Sequence, residues 1–488
     1  MLSSVLNPPE KGRHLTASSA NPLLVWMFLG LAVASAYYVF VITLAGVLDF
    51  LAPVPYGLTF NSMLSHLLVG RFDVDPQTIS DEGTLRHGLV YAYFGILPAV
   101  LRLPFVWLPN FASTDYSRLA CVVAVAIMAG FKLLSVQTVW RVAGTRERLA
   151  LPILFTIAIL IGGPQIQFLR PSVYQEVLLW TGTLSAGFVY FVLRGYYSER
   201  GFSLSVLNSL ALIAGLCLLT RVTMALGLYI AFGLLWLHLA WRSLRDPEGR
   251  SRTAGLARLV VPVVILLAFA AVTAYVNYER WDNPLTFAGS QGYIWATVNA
   301  PDRFLRAKEY GEFNLIRLGY NLIYYFFPIW VLRTVDGALL WSVFQHRTID
   351  AVELPPSSFF LTDPLVFGLA AFCLVQLVRH KDALTRTIVV PVLAGLAVPI
   401  MLILIFISAT FRYRMEFYPF VDLCAFIGFG ILLARTAKPP ARLFAIAAIG
   451  TVLASHAVWL LYALSKLGPA SVVLGNMDVM SYYLSWFR

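Results

Sequence analysis

The sequence predicts an all-α fold, a polytopic transmembrane helical bundle of about 11 spans with a cytoplasmic amino terminus, and three observations carry that prediction. A mean hydropathy of +0.75 and 12% charged side chains leave too little polar surface to wet a soluble globule of 488 residues. Apolar runs of about 20 residues, the length a helix needs to cross hydrocarbon, recur along the whole chain. Such runs read as helices rather than a barrel, because a helix satisfies its own backbone in lipid. Lys and Arg are also segregated: segments 1–22, 141–148, 194–200, 242–258, 379–386 and 435–442 total 70 residues and hold 18 of the 36. Those basic loops are expected on the inside.

The expected spans lie near 23–48, 119–140, 149–165, 176–193, 203–220, 222–241, 259–276, 364–378, 387–410, 417–434 and 443–464. The first follows Lys11, Arg13 and His14, and its small residues Ala34 to Ala36 imitate a signal-peptidase site. Apolarity continues through "YYVFVITLAGVL", beyond any signal-peptide core, which favours an uncleaved anchor. A further apolar stretch, 89–109, would reverse the following basic loops if it crossed. With Pro98, Arg102, Pro104 and Pro109 inside it, it reads as re-entrant or interfacial. The chain is then one membrane domain, 1–488, with two long outer loops, 49–118 and 277–363, the second carrying another interfacial helix at 314–332 with Arg317 and Tyr320 on its polar edge. No fixed-period repeat is present, which speaks against an inverted-repeat transporter.

Cys121, Cys217, Cys373 and Cys424 fall inside apolar runs and suggest neither a disulfide framework nor a metal site. The net charge of +11 is scattered over short loops, so it reports orientation rather than a nucleic-acid partner. Acids run the opposite way, 6 in the basic segments and 19 elsewhere, so carboxylate chemistry is expected on the outer face.

Four of those acids, Asp73, Asp75, Asp81 and Glu82, crowd the stretch "GRFDVDPQTISDEGTLRHG". They offer a general base, an oxygen-ligand pair for a divalent cation, or a solvated loop; the Asp-Val-Asp spacing alone is not metal-specific. Outer turns also present cations: Arg170 in "FLRPSVYQEVLLW" with Tyr174 and Glu176, Arg221 in "LLTRVTMAL", and Arg412 with Arg414 in "SATFRYRMEFYPF". Guanidinium forks at the membrane surface suit a phosphate, and equally a lipid headgroup. "YVNYERWDNPLTFAGSQGY" mixes rings with Asn277, Tyr278 and Asp282, which suits sugar recognition or an interfacial aromatic collar.

These features together resemble a known family. The opening anchor, the long acidic first loop with "HGLVYAYFGILPAVLRLP", the Arg-bearing turn after the third span and the late Arg-Tyr-Arg before "YPF" resemble the GT-C superfamily of polytopic glycosyltransferases. That superfamily includes protein mannosyltransferases and lipid A aminoarabinose transferases. "YVNYERWDNPLTFAGSQGY" is similar to a "YNY…RFG.P..FG..Y" stretch of bacterial members. The resemblance implies a polyprenyl-phosphate sugar donor, an inverting displacement, a first-loop acid as base, and Arg412 and Arg414 on the departing lipid phosphate. Where many members carry that acid this chain reads "VPYG"; Asp49 lies earlier and the four acids later.

The expectation is a bacterial inner-membrane glycosyltransferase, with a glycan or lipid acceptor and no required cofactor or metal. Its base is sought at Asp81, then Asp75 and Asp49. Arg170, Arg221, Arg412 and Arg414 are expected to bind the donor phosphate, and Glu176, Tyr174, Asn277, Tyr278 and Asp282 the substrates. The rivals are a lipid-linked oligosaccharide flippase or small-solute transporter, which would place ionisable groups near the midplane where the sequence shows Lys132, and a noncatalytic assembly subunit.

Overall fold

A computed structural model describes residues 30–39, 49–143, 150–163, 171–199, 201–245, 252–287, 292–299, 301–327, 348–352, 358–379, 383–435 and 441–464. Each expected span contains a helix. Six described helices are long and apolar enough to cross a membrane: Ser117–Val142, Val173–Tyr196, Val222–Leu244, Leu259–Trp281, Thr387–Ile405 and Ala441–Val458. Gly30–Val39, Ala150–Ile161, Leu204–Leu218, Pro364–Arg379 and Tyr418–Ala434 are shorter apolar helices.

These helices pack through one continuous apolar core. The Val222–Leu244 helix lies closely along Ala383–Ile405, and small residues permit the approach. A methyl group on Gly395 would sit 2.2 Å from the Ala231 nitrogen, and one on Gly227 2.5 Å from the Pro399 ring. The Ser117–Ala143 helix packs on Val173–Tyr196, and Pro364–Arg379 on Tyr418–Arg435.

The first long loop, 49–118, has a second core of its own. Phe60, Met63 and Leu64 of the Thr59–Leu67 helix join Val74, Ile79, Val90 and Phe94, and this cluster is completed by Val173, Val177 and Val276 from the adjoining ends of two long helices. A buried ion pair ties the same loop to the bundle. Arg102, 2% exposed, bonds the fully buried Glu176 at 2.7 Å, the Ser117 hydroxyl at 3.0 Å, the Gly57 carbonyl at 3.1 Å, and the Asn61 amide oxygen. The Leu97 N–H adds a bond to the Leu219 carbonyl at 2.9 Å, fixing the loop against a helix-to-helix turn.

Two expectations, a purely helical fold and a polar edge at Arg317 and Tyr320, need correction. The fold is not purely α: Thr84–Arg86 pairs antiparallel with Leu89–Tyr91, and Ala351–Val352 parallel with Ser408–Ala409. The 89–109 segment, read as re-entrant or interfacial, begins with the Leu89–Tyr91 strand. After that strand it makes only the short turns Leu97–Val100 and Leu103–Phe105, with prolines interrupting the helical ladder. Arg317 and Tyr320 are not a polar edge; both are buried, and Arg317 donates to the carbonyls of Thr348, Glu312 and Gly311 at 2.8, 2.9 and 2.7 Å. The Leu318–Phe326 helix carries Tyr320, and positions 328–332 of the expected 314–332 helix lie outside the described residues.

Removing one member of a buried ion pair strands the other charge, at a cost of about 3–5 kcal/mol. Arg102→Leu and Glu176→Leu are each expected to lower the thermal unfolding temperature of the purified protein strongly, and the double substitution to cost less than either alone. A double variant as unstable as the sum of the two singles would show that the pair does not hold the loop.

Candidate functional site

Where the first loop, the second loop and the bundle meet, a cavity of about 300 Å³ opens. One wall is basic. Arg221 precedes the Val222–Leu244 helix and is held by the fully buried Glu416, which also accepts from the Thr223 hydroxyl at 2.9 Å. Arg412 lies over the Tyr174 ring at 4.4 Å and near the Tyr413 ring at 5.6 Å, while Arg221 lies 4.8 Å from the same Tyr413 ring. Both guanidiniums, Tyr174 and Tyr413 line the cavity, as do Asn277 and Arg280. Leu218, Val276, Ile403 and Phe406 give it an apolar side.

Glu82 stands beside this cavity. The residue is 6% exposed and accepts hydrogen bonds from the phenols of Tyr293 at 2.6 Å and Tyr93 at 3.5 Å; Tyr93 itself lines the cavity. Burial, then the neighbouring Tyr93 and Glu82, push the Tyr293 phenol well above its ordinary range, so it remains a donor. Tyr293 reaches Glu82 because the second loop pairs with the first. The Leu85 N–H bonds the Gly292 carbonyl at 2.8 Å, the Ile294 N–H bonds the Gly83 carbonyl at 3.0 Å, and Tyr293 bridges Thr84. Gly292 has φ +81°, and a methyl group there would sit 2.7 Å from the Leu85 carbonyl oxygen.

The structure redistributes the expected site residues. Asp81 takes the Tyr56 hydroxyl at 2.9 Å and does not line the cavity. Asp75 accepts from the Ser62 hydroxyl at 2.8 Å and lies 3.4 Å from the His66 ring. Asp49 is exposed and caps the Leu51 N–H. Asp73 is buried against Arg71; burial works to raise its carboxyl, but the hydrogen bond from Arg71 holds it below the usual range. The backbone explains the split within the acidic stretch: Ser80 at φ +53° turns the chain, and the following Ser80–Glu82 turn sends Glu82 inward.

Arg414 points away from Arg412. It is fully buried on Asp363 and the Thr362 hydroxyl, with its guanidinium 4.2 Å from the Phe359 ring. The six-residue 3-10 turn Phe411–Glu416 separates the two, since alternate positions in such a helix lie about 120° apart. Glu176 is likewise withdrawn into the Arg102 pair and does not line the cavity. Tyr278 is 55% exposed, and Asp282 pairs with Arg86 beside His87; neither lines the cavity. Asn277 does line it, donating to the Pro284 carbonyl at 3.2 Å. Arg170 lies outside the described residues. Within the bundle, Lys132 is paired with Asp422 at 3.0 Å, both buried.

In the sequence Glu82 stands only as one of four crowded acids, and Tyr93, Tyr293 and Arg280 carry no motif that singles them out. An Arg near the end of an apolar run, "AYVNYERW", was the available signal for Arg280.

No family model and no curated protein sequence matches the chain. Among solved structures it is similar to the oligosaccharyltransferase of Archaeoglobus fulgidus in the apo form, with 13% identity and a TM-score of 0.48, over 95% of this chain and 60% of that one. The complex of that archaeal oligosaccharyltransferase with an inhibitory peptide and a dolichol-phosphate gives 14% identity and a TM-score of 0.44, over 95% and 59%. ArnT from Cupriavidus metallidurans bound to undecaprenyl phosphate gives 13% identity and a TM-score of 0.40, over 96% and 76%. The chain thus spans about 60% of the length of the archaeal enzyme.

A side chain at a glycine-only conformation costs on the order of 1–3 kcal/mol. Gly292→Ala is therefore expected to loosen the joint between the loops and speed hydrogen exchange at the Leu85 and Ile294 amides, with the helical amides of Val173–Tyr196 unchanged. Equal protection in variant and parent would show that the pairing does not depend on Gly292.

Proposed function

We propose that the chain is a multi-pass glycosyltransferase of the bacterial inner membrane, transferring a sugar from a polyprenyl-phosphate donor to a glycan or lipid acceptor at the outer face. The amino terminus lies inside in this reading. Segment 97–108 rests in the outer leaflet, with Leu101, Leu103, Trp107 and Leu108 outward and Arg102 inward. The observation that carries the proposal is one cavity that has Arg221 and Arg412 on its wall and Glu82 beside it, joined through Tyr93.

In this mechanism the carboxylate of Glu82 takes the proton of the acceptor nucleophile as that atom bonds to the anomeric carbon. The bond from that carbon to the phosphate oxygen breaks on the opposite face, and its electron pair leaves with the lipid phosphate. Arg221 and Arg412 stabilise the charge gathering there. Tyr93 and Tyr293 hold the carboxylate in place without competing for the proton, because they are donors to it. The apolar side of the cavity suits the first prenyl units. Asp81, occupied by Tyr56, gives way to Glu82 as the base in this reading. A transport path is less well supported, since the charged pair inside the bundle, Lys132 with Asp422, is buried and absent from the cavity lining.

Losing a charge-assisted hydrogen bond costs about 1.5–3 kcal/mol, roughly 10- to 150-fold in affinity. Arg412→Gln is expected to weaken binding of undecaprenyl phosphate to the protein in nanodiscs by that order. Glu82→Gln should leave this binding intact while reducing glycan product in cells by roughly 100- to 10,000-fold, the usual worth of a general base. Undecaprenyl phosphate binding unaffected by Arg412→Gln, or normal product from Glu82→Gln, would overturn the assignment.

A further inference from the structure

Several buried cations among the described residues have a carboxylate or a set of carbonyls to answer them. Arg102 has Glu176, Arg221 has Glu416, Arg414 has Asp363, Lys132 has Asp422, and Arg317 has carbonyl oxygens around it. Arg280 differs. It is 4% exposed near the end of the Arg252–Trp281 helix, and among the described residues no carboxylate lies within ion-pair distance. One terminal nitrogen donates to the Phe94 carbonyl at 2.8 Å, the other meets only the Met63 sulfur at 3.5 Å, and the Nε has no acceptor.

The negative end of the helix dipole and one carbonyl offset part of that charge, but neither equals a counter-ion. Arg86 already donates to the Arg280 backbone carbonyl at 2.9 Å, which spends one of the helix-end acceptors. A buried guanidinium without a counter-ion is costly, and this one lines the cavity with Asn277, one turn earlier on the same helix. Its wall is built from that helix and the first loop. Arg221 and Arg412 come from other segments, the turns at 219–222 and 411–416, where they share Tyr413.

We propose that the Arg280 wall is a second oxyanion subsite, taking a phosphate or carboxylate oxygen of a ligand whose first phosphate meets Arg221 and Arg412. This rests on the glycosyltransferase reading and narrows its substrates to those carrying a second negative group. That group is either the second phosphate of a lipid diphosphate or the carboxylate of an acidic sugar.

The test uses the full chain in nanodiscs and two pairs of probes: undecaprenyl diphosphate against undecaprenyl phosphate, and glucuronic acid 1-phosphate against glucose 1-phosphate. The parent protein is expected to prefer the doubly anionic member of one pair by about tenfold or more, the scale of a charge-assisted bond. The preferred pair names the source of the anion. Arg280→Gln should erase that preference while leaving undecaprenyl phosphate affinity unchanged. Arg280→Lys, read in its place if the Gln variant does not fold, should reduce the preference several-fold because the fork is lost. No preference in either pair, a preference that survives both substitutions, or an equal loss for the monophosphate would overturn the second subsite. Failure of the parent to bind undecaprenyl phosphate at all would instead strike the glycosyltransferase reading.

Discussion

The end of the bundle that carries the two long loops is organised by the ion pair between Arg102 and Glu176. A guanidinium and a carboxylate, both hidden from water, join a proline-broken loop to a long helix and recruit Ser117, Asn61 and the Gly57 carbonyl around them. Desolvating two charges is expensive, and such a pair gains little over apolar packing. What it supplies is position, because the loop has one seating in which both charges are answered. The carboxylate lies in the first turn of the Val173–Tyr196 helix, beside Tyr174. The same seating therefore sets the ring on which Arg412 lies.

From that seating the site is assembled by contacts between segments remote in sequence. The first loop offers a hairpin with a free edge, the second loop adds Tyr293 to that edge, and the acid between them is clasped by phenols. The basic wall comes from two turns between helices, with Glu416 steadying Arg221 and aromatic faces supporting both guanidiniums. Neither loop holds the arrangement alone. Each supplies groups that the other aligns.

The helices were legible because the bilayer imposes one constraint everywhere, an apolar length, and composition reports it directly. The loops obey no such rule. Glu82 and Tyr293 are 211 residues apart, and nothing in either segment names the other. Asp81 and Glu82 are adjacent, and only a left-handed Ser80 decides which one turns inward. Arg412 and Arg414 look like a pair when read as alternate positions of an extended chain. The 3-10 turn divides them, giving one to the cavity and one to Asp363. Arg102 read as a helix breaker and Glu176 as a site residue, since a sequence shows each charge without its partner.

The pair between Lys132 and Asp422 carries a consequence for how the chain is made. Lys132 sits within a long apolar helix that leaves the ribosome well before the helix bearing Asp422 exists. During synthesis the ammonium must enter the bilayer unanswered, carried by the apolarity of the residues around it, or wait at the lipid surface. The counter-charge comes with the Tyr418–Arg435 helix, which holds Asp422 3.0 Å from Lys132. The amino-terminal half of the bundle is in this sense an unfinished object until its later half is inserted, and assembly has an order written into a single buried charge.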